Sequence, residues 1–387
     1  MSMFVVLAFA ILIIHILTLA DIGWGLLRMQ WLGEIPDEVV EPFPLVSIIV
    51  PACNEEKTIE PALKSLLAQN YPHLEIIVVN DRSTDATAQL LERLQCESSR
   101  PFSVLTISEL PSGWLGKSHA LQTGANHATG EILIFTDADI EMEQTTVSRA
   151  VRVLETEQLD HLSLMFQQVG GSWLLNGMIL DAASGLLAVF KPWRVNDEKS
   201  RYFMGVGAFN MLRAEAYRAV SGHSLIAMHP IDDIMLGKIV KEHGLKQKCL
   251  LGQPYVTVCW YSTAIEMVAG LMKNVFSVVH YRGWLAFLSM MLVFILNVLP
   301  LIGPFFSSGS VRLLFGITVL LRLLGLALGA RLSGMPLSAV AGGVLAPCMS
   351  IYIIGRGAWI TLKNGGISWR GSHYDLQELR KSRPLLF

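Results

Sequence analysis

The chain has 387 residues, enough for two or three units of roughly 150 residues each. Its 30 basic and 32 acidic residues leave a net charge of −2, which offers no basic surface to a nucleic acid, and 52% hydrophobic residues exclude a disordered or collagen-like chain. Only 16% of residues are charged and the mean hydropathy is +0.46, so the sequence needs either a very large core or membrane spans.

The N-terminus decides for membrane spans. Met1 to Ala20 contains no Asp, Glu, Lys or Arg, and FVVLAFAILIIHILTLA is long enough to cross a bilayer. No basic residue precedes it and no AxA-like cleavage site follows, so residues 1–32 read as a retained anchor rather than a signal peptide, bordered by Asp21, Trp24 and Arg28. His15 inside it is expected to pack against a neighbouring helix.

Residues 33–283 carry most of the charges and read as a soluble domain. Within it VSIIVP, EIIVVN, SVLTI and EILIFT alternate with helical patterns, which predicts an α/β domain with a mostly parallel sheet flanked by helices. After Asn54, Ile59, Leu63, Leu66 and Leu67 share one helical face, with Pro61 tolerated in the first turn. A later helix, IDDIMLGKIVKEHG, has Leu236, Ile239 and Val240 facing inward and Gly244 as its stop.

Residues 284–358 form an apolar cluster, with transmembrane helices thus expected at both ends of the chain, and 359–387 a basic tail. Four spanning segments would put that tail opposite the soluble domain, although Lys363, Arg370, Arg380, Lys381 and Arg383 should keep it cytoplasmic. One C-terminal segment is therefore expected to be re-entrant or interfacial, and Arg322 marks the third of the four as the weakest. The five cysteines show no CxxC spacing, so neither a zinc site nor a disulfide framework is legible.

Ligands of such sheets bind outside the carboxyl ends of the strands. Three expected strands end in acids there: PACNEE, NDRSTD and DAD. Helix caps and turns account for Ser83, Asp85 and Glu56. They do not account for Asp137 and Asp139, which at i and i+2 of an extended chain would face one spot and repel unless a cation lies between them. Oxygen ligands of this kind suit Mg²⁺ or Mn²⁺ shared with a diphosphate.

SIIVPACNEE, IIVVNDRSTDAT, WLGKSHALQTGANHATGEILIFTDADI and IDDIMLGKIV, in this order, resemble the inverting glycosyltransferase family 2 with its GT-A nucleotide-diphospho-sugar domain, over about Leu45 to Tyr281. With WLGK, the membrane cluster and GISWRGSHYDL, the chain is most similar to membrane glycosyltransferases of hopanoid and carotenoid pathways. The resemblance implies that Pro51 and Glu55 cradle the nucleoside and that Asp81 binds the base. It makes Asp137 and Asp139 the DXD motif, with Asp139 the better metal ligand, and Asp233 of the Asp232, Asp233 pair the catalytic base. Gly205, Gly207 and Phe209 would line the acceptor side.

Lys117 is a candidate diphosphate contact or a solvated loop lysine. The QxxRW motif of processive synthases is missing; GLMKNVFSVVHYR stands in its region, with Lys273 or Arg282 as substitute phosphate contacts, so transfer of one sugar is expected. His223 and His229 flank the approach to Asp232 as possible acceptor or metal groups, or merely polar ones. Trp173, Trp193 and Trp260 line an acceptor site or pack in the core.

The expected activity is metal-dependent transfer from a UDP-linked donor to a lipid hydroxyl or carboxylate, by a multi-pass protein of a bacterial inner or plasma membrane with its catalytic domain in the cytoplasm. Polyprenyl-phosphate or diacylglycerol acceptors are the alternative in the same class, and a silent nucleotide-sugar sensor or scaffold the alternative in another. Gly205-Val206-Gly207 lacks the remaining signals of a dinucleotide site, which disfavours an oxidoreductase.

Overall fold

Seven short strands, mostly apolar, form one sheet in the computed structural model, which describes residues 3–37, 41 and 43–385. They are β1 (Val46–Ala52), β2 (Leu74–Asp81), β3 (Phe102–Ile107), β4 (Ile132–Phe135), β5 (His161–Met165), β6 (Asn210–Arg213) and β7 (Gln247–Leu251). Their order across the sheet is β3-β2-β1-β4-β6-β5-β7. Only β6 runs against the others, so the sheet is mostly parallel as expected. Val46 pairs with Leu74 on one side and Ile132 on the other. This register sets the carboxyl ends of β1, β2 and β4 side by side.

Helices cover both faces. In Ile59–Leu67 the residues Ile59, Ala62, Leu63 and Leu66 are buried, and Pro61 sits in the first turn, where its missing N–H costs nothing. Asp232–Glu242 buries Leu236, Ile239 and Val240 completely, and Gly244 follows in the left-handed region at φ 72°.

Five helices are long and apolar enough to cross a membrane: Met3–Leu26, Trp173–Arg194, Gly283–Phe306, Gly309–Leu332 and Ala339–Lys363. The second lies inside the stretch that reads as soluble. Its sequence WLLNGMILDAASGLLAVF carries one Asp, and it leaves from the strand Gln167–Gln168 and returns to β6, so both of its ends belong to the same α/β domain. It packs along Ala339–Lys363, where Gly177 and Gly342 permit backbone contact: a Cβ on Gly177 would stand 2.3 Å from the Gly342 carbonyl carbon.

The two ends of Ala339–Lys363 also return to the α/β domain. Before it, Gly334 packs against Gln167; after it, the hairpin Gly366–Trp369 and Ser372–Asp375 brings the Tyr374 hydroxyl to the Gly116 N–H, which donates to it at 3.3 Å. Arg322 is not a bare charge within its apolar helix. Its guanidinium donates to Asp181 at 2.6 Å, to Asn297 at 2.5 Å and to the Gly343 carbonyl at 3.0 Å. Asn297 lies in a π-helical turn, Phe294–Val298, a local widening that lets a polar side chain face a neighbouring helix. His15 bonds the Ile11 carbonyl of its own helix at 3.0 Å.

Candidate active site

The first wall of the site is the pair of loops after β1 and β2, which lock together. Asn54, at φ 58°, accepts from the Thr84 N–H at 2.7 Å and its own N–H donates to Ser83. The Glu55 N–H donates to Thr87 at 2.8 Å, and Glu56 and Asp85 exchange bonds with each other's backbone regions. Ser83, Asp85 and Glu56 are thus the turn and cap residues their sequence context implies. Asp81, buried at the end of β2, is clamped by Arg82 through two parallel bonds of 2.7 and 2.9 Å. Gly116 abuts this clamp, and a Cβ there would fall 2.4 Å from Asp81 Oδ2. Pro51 is half-buried within β1.

The second wall is built after β4. That strand ends at Phe135, and Ala138 and Asp139 lie in a turn. The straight i, i+2 geometry expected from sequence is therefore replaced by a turn that still keeps the two carboxylates in mutual electrostatic reach. Burial, then the negative charges of Asp137 and Glu55, push the Asp139 carboxyl up to about 7.

The third wall is the acidic first turn of Asp232–Glu242. Lys117, in the first turn of the helix Gly116–His127, bridges the two acidic groups: its Nζ lies 2.7 Å from Asp137 Oδ1 and 3.4 Å from Asp232 Oδ1. Burial opposes the charge on Lys117, but Asp137, Asp232 and Asp233 outweigh it and raise the ammonium above its ordinary range. Lys117 is a half-buried, ion-paired site cation rather than a solvated loop lysine.

Asp233 is held from its other side. The Gly207 N–H donates to Asp233 Oδ2 at 2.8 Å, and the Gly207 carbonyl accepts from the Asp137 N–H at 3.1 Å, so one residue links both acids. A Cβ on Gly207 would lie 2.8 Å from Asp137 Oδ2, and one on Gly205 would collide with the Asp233 carbonyl oxygen at 1.8 Å. Both positions require glycine because backbone and carboxylate pass too close for any side chain. Burial and the adjacent Asp232 push the Asp233 carboxyl up to about 6, with Lys117 opposing them.

Not every expected residue reaches this centre. Phe209 is fully buried in the core. His229 is buried with its Nδ1 accepting from the Ile231 N–H at 3.2 Å, and burial drives its pKa down to about 4, so it stays neutral. His223 lines the small cavity shared by Lys117, Asp137 and Asp233, but its Nδ1 is bonded to the Tyr217 hydroxyl at 2.8 Å and burial lowers it to about 3. Arg282 stands exposed immediately before Gly283–Val293. Trp173 is exposed at a helix start, Trp193 packs on Gly25, and Trp260 meets Phe166 edge-on. Lys273 lies over the Trp369 ring at 4.1 Å. Sequence reasoning missed Arg82 and Arg370, although NDR and WRG were both in view; Arg370 bonds Glu55 at 2.6 Å across 315 residues of sequence.

The donor set suits a divalent ion only with help. Among the described residues no three His, Cys, Asp or Glu side chains converge as a full protein cage. Two acidic side chains of this kind match Mg²⁺ or Mn²⁺ when phosphate oxygens and water complete the shell. Asp139 and Asp137 are the residues that would hold it.

A mostly parallel sheet with acids gathered at the strand ends and a GT-A-like order defines the nucleotide-diphospho-sugar transferase class of fold. Residues 47–220 match the family model described as glycosyl transferase family 2. Two bacterial relatives are 4,4'-diaponeurosporenoate glycosyltransferases. That of Staphylococcus haemolyticus is 29% identical over 247 residues, 59% of this chain and 60% of its own. That of Staphylococcus aureus is 28% identical over 230 residues, 57% and 58% respectively. The matched region thus spans somewhat under two thirds of each relative. In structure, a mannosyltransferase from Pyrobaculum calidifontis in complex with GDP-Man and Mn²⁺ superposes with a TM-score of 0.54 at 18% identity, covering 93% of this chain and 98% of that one.

Proposed function

We propose that this chain is a membrane-bound inverting glycosyltransferase that moves one sugar from a nucleoside-diphosphate donor, UDP-linked, to a lipid hydroxyl or carboxylate. The observation that carries the reading is the meeting of Asp137, Asp232 and Asp233 around the half-buried Lys117, with Asp139 in electrostatic reach of Asp137, at the strand ends where such sheets bind ligands. Two acids on the metal side and two on the helix side give a donor half and an acceptor half. The names of the Staphylococcus relatives support a carotenoid-type lipid acid as acceptor.

In this reading Asp81, rigid in its Arg82 clamp, meets the base, and Pro51 and Glu55 cradle the nucleoside. Lys117 and Lys273 face the diphosphate. A bound Mg²⁺ or Mn²⁺ supplies neutralisation of the charge that grows on the leaving diphosphate. Asp233 accepts the proton of an attacking hydroxyl, with the Gly207 N–H fixing its Oδ2. Asp232 and Lys117 set its basicity.

Because Asp233 must be ionised to act and its carboxyl is pushed up to about 6, activity is expected to fall as pH drops through about 6 and to level off above it. A kcat/KM profile between pH 4.5 and 8.5 checks this, and a rate that stays flat down to pH 5 would remove Asp233 from the role.

The same reading includes a membrane placement, supported by which helices return to the domain. Met3–Leu26, Gly283–Phe306 and Gly309–Leu332 are the proposed crossings, while Trp173–Arg194 and Ala339–Lys363 begin and end at the α/β domain and are proposed to lie along the bilayer surface. Three crossings put domain and tail on one side, the cytoplasmic one by the positive charges of the tail. A lipid acceptor would enter sideways along this layer while the donor arrives from water.

Membranes containing the protein, incubated with labelled UDP-glucose and Mg²⁺ or Mn²⁺, with GDP-linked donors in parallel, are expected to yield a new glycolipid by mass after organic extraction. Chelation with EDTA should abolish it. Nucleotide binding without any product across several donors and lipid extracts would favour a silent sensor or scaffold.

A further inference from the structure

The tail hairpin Gly366–Trp369, Ser372–Asp375 lies far from the acids in sequence but against them in space. Its turn residues, Arg370 at φ 46° and Gly371 at φ 81°, carry Arg370 to Glu55, where Nη2 donates at 2.6 Å. Ser372 accepts from Arg82 Nη1 at 3.1 Å, and Tyr374 accepts from the Gly116 N–H. The hairpin thus touches both loops that hold the nucleoside positions. With Arg82, Trp114 and Met228 it also walls a cleft of about 640 Å³.

Two cations meet at this edge, and among the described residues Glu55 is the one acid that pairs with either of them. Lys273 packs on Trp369, and among the described residues no carboxylate lies within 4 Å of it. Burial, with Arg370 and Lys117 nearby, pushes Lys273 down to about 8. Arg370 uses one nitrogen on Glu55, and the rest of its fork has no protein partner among the described residues. Like charges on one edge, of which Glu55 meets only Arg370, favour a further anion beside them. Asp137 has Lys117 as its partner, but Asp139 has no cation within 4 Å among the described residues, and a metal-bound diphosphate suits both edges.

We propose that the C-terminal hairpin is a working wall of the donor site, with Arg370 as a diphosphate-binding residue that Glu55 orients and Trp369 and Lys273 support. The inference rests on the nucleoside-diphosphate donor proposed above. A planar guanidinium suits two phosphate oxygens at once, which a lysine cannot match in geometry.

Uridine, UMP and UDP are titrated into the full-length protein in detergent with Mg²⁺, with GDP in parallel, for wild type, Arg370→Ala and Arg370→Lys. Loss of a charge-assisted contact predicts that Arg370→Ala weakens UDP by about tenfold or more, UMP by less, and uridine by less than about twofold. Arg370→Lys should recover part of the UDP affinity. Equal weakening of all three ligands would make the hairpin a structural tether only, and unchanged UDP affinity in Arg370→Ala would remove the role outright. A wild type that binds neither UDP nor GDP would overturn the donor reading itself, and this proposal with it.

Discussion

Asp233→Asn is expected to lower kcat about 10²- to 10⁴-fold for a hydroxyl acceptor, with nucleoside-diphosphate affinity kept within a few-fold. Asparagine keeps the shape and can still accept the Gly207 N–H at the position now 2.8 Å away, so the residue joining Asp233 to Asp137 stays in place. What disappears is the capacity to take a proton. A lipid carboxylate arrives without a proton to lose, so a much smaller loss, paired with an alkali-labile product, would identify an ester-forming acceptor. Normal turnover to an alkali-stable glycoside would sink the assignment of the base. Loss of nucleotide binding together with turnover would instead mean that Asp233 holds the donor half as well.

The second large effect concerns folding. Arg322→Leu is expected to destabilise the protein by about 3–5 kcal/mol, because Asp181 would be left as an uncompensated charge among apolar helices. Arg322 lies at the junction of three segments that share no sequence proximity: the in-domain helix through Asp181, the π-turn through Asn297 and the last long helix through the Gly343 carbonyl. The double variant Arg322→Leu, Asp181→Leu should recover most of the loss, since two apolar residues replace two charges. Thermal unfolding in detergent, followed by size-exclusion chromatography, measures both. A double variant no more stable than the single one would show that the pair contributes nothing through its charges.

The sequence by itself determined the sheet, because β-branched runs such as VSIIVP and EIIVVN can be buried on both faces in few other ways. It determined the acids at the strand ends, since DAD directly after EILIFT has no capping role. It also required one C-terminal segment to be re-entrant or interfacial so that domain and tail share a side, and pointed to the helix of Arg322. What that arginine costs belonged to the tertiary structure: it is expensive only when unpaired, and its partners Asp181 and Asn297 lie 141 and 25 residues away.

The same reason hid the helix Trp173–Arg194, whose single Asp made it read as part of a soluble domain until its ion partner was placed beside it. Gly205 and Gly207 were legible as unusual glycines, but only the passage of the Asp233 backbone and the Asp137 carboxylate within contact distance shows why no other residue fits. Arg370 carried no local signal, being one basic residue in a basic tail. Its place opposite Glu55 depends on where Ala339–Lys363 delivers the chain, a long-range consequence of helix packing that no window of sequence contains.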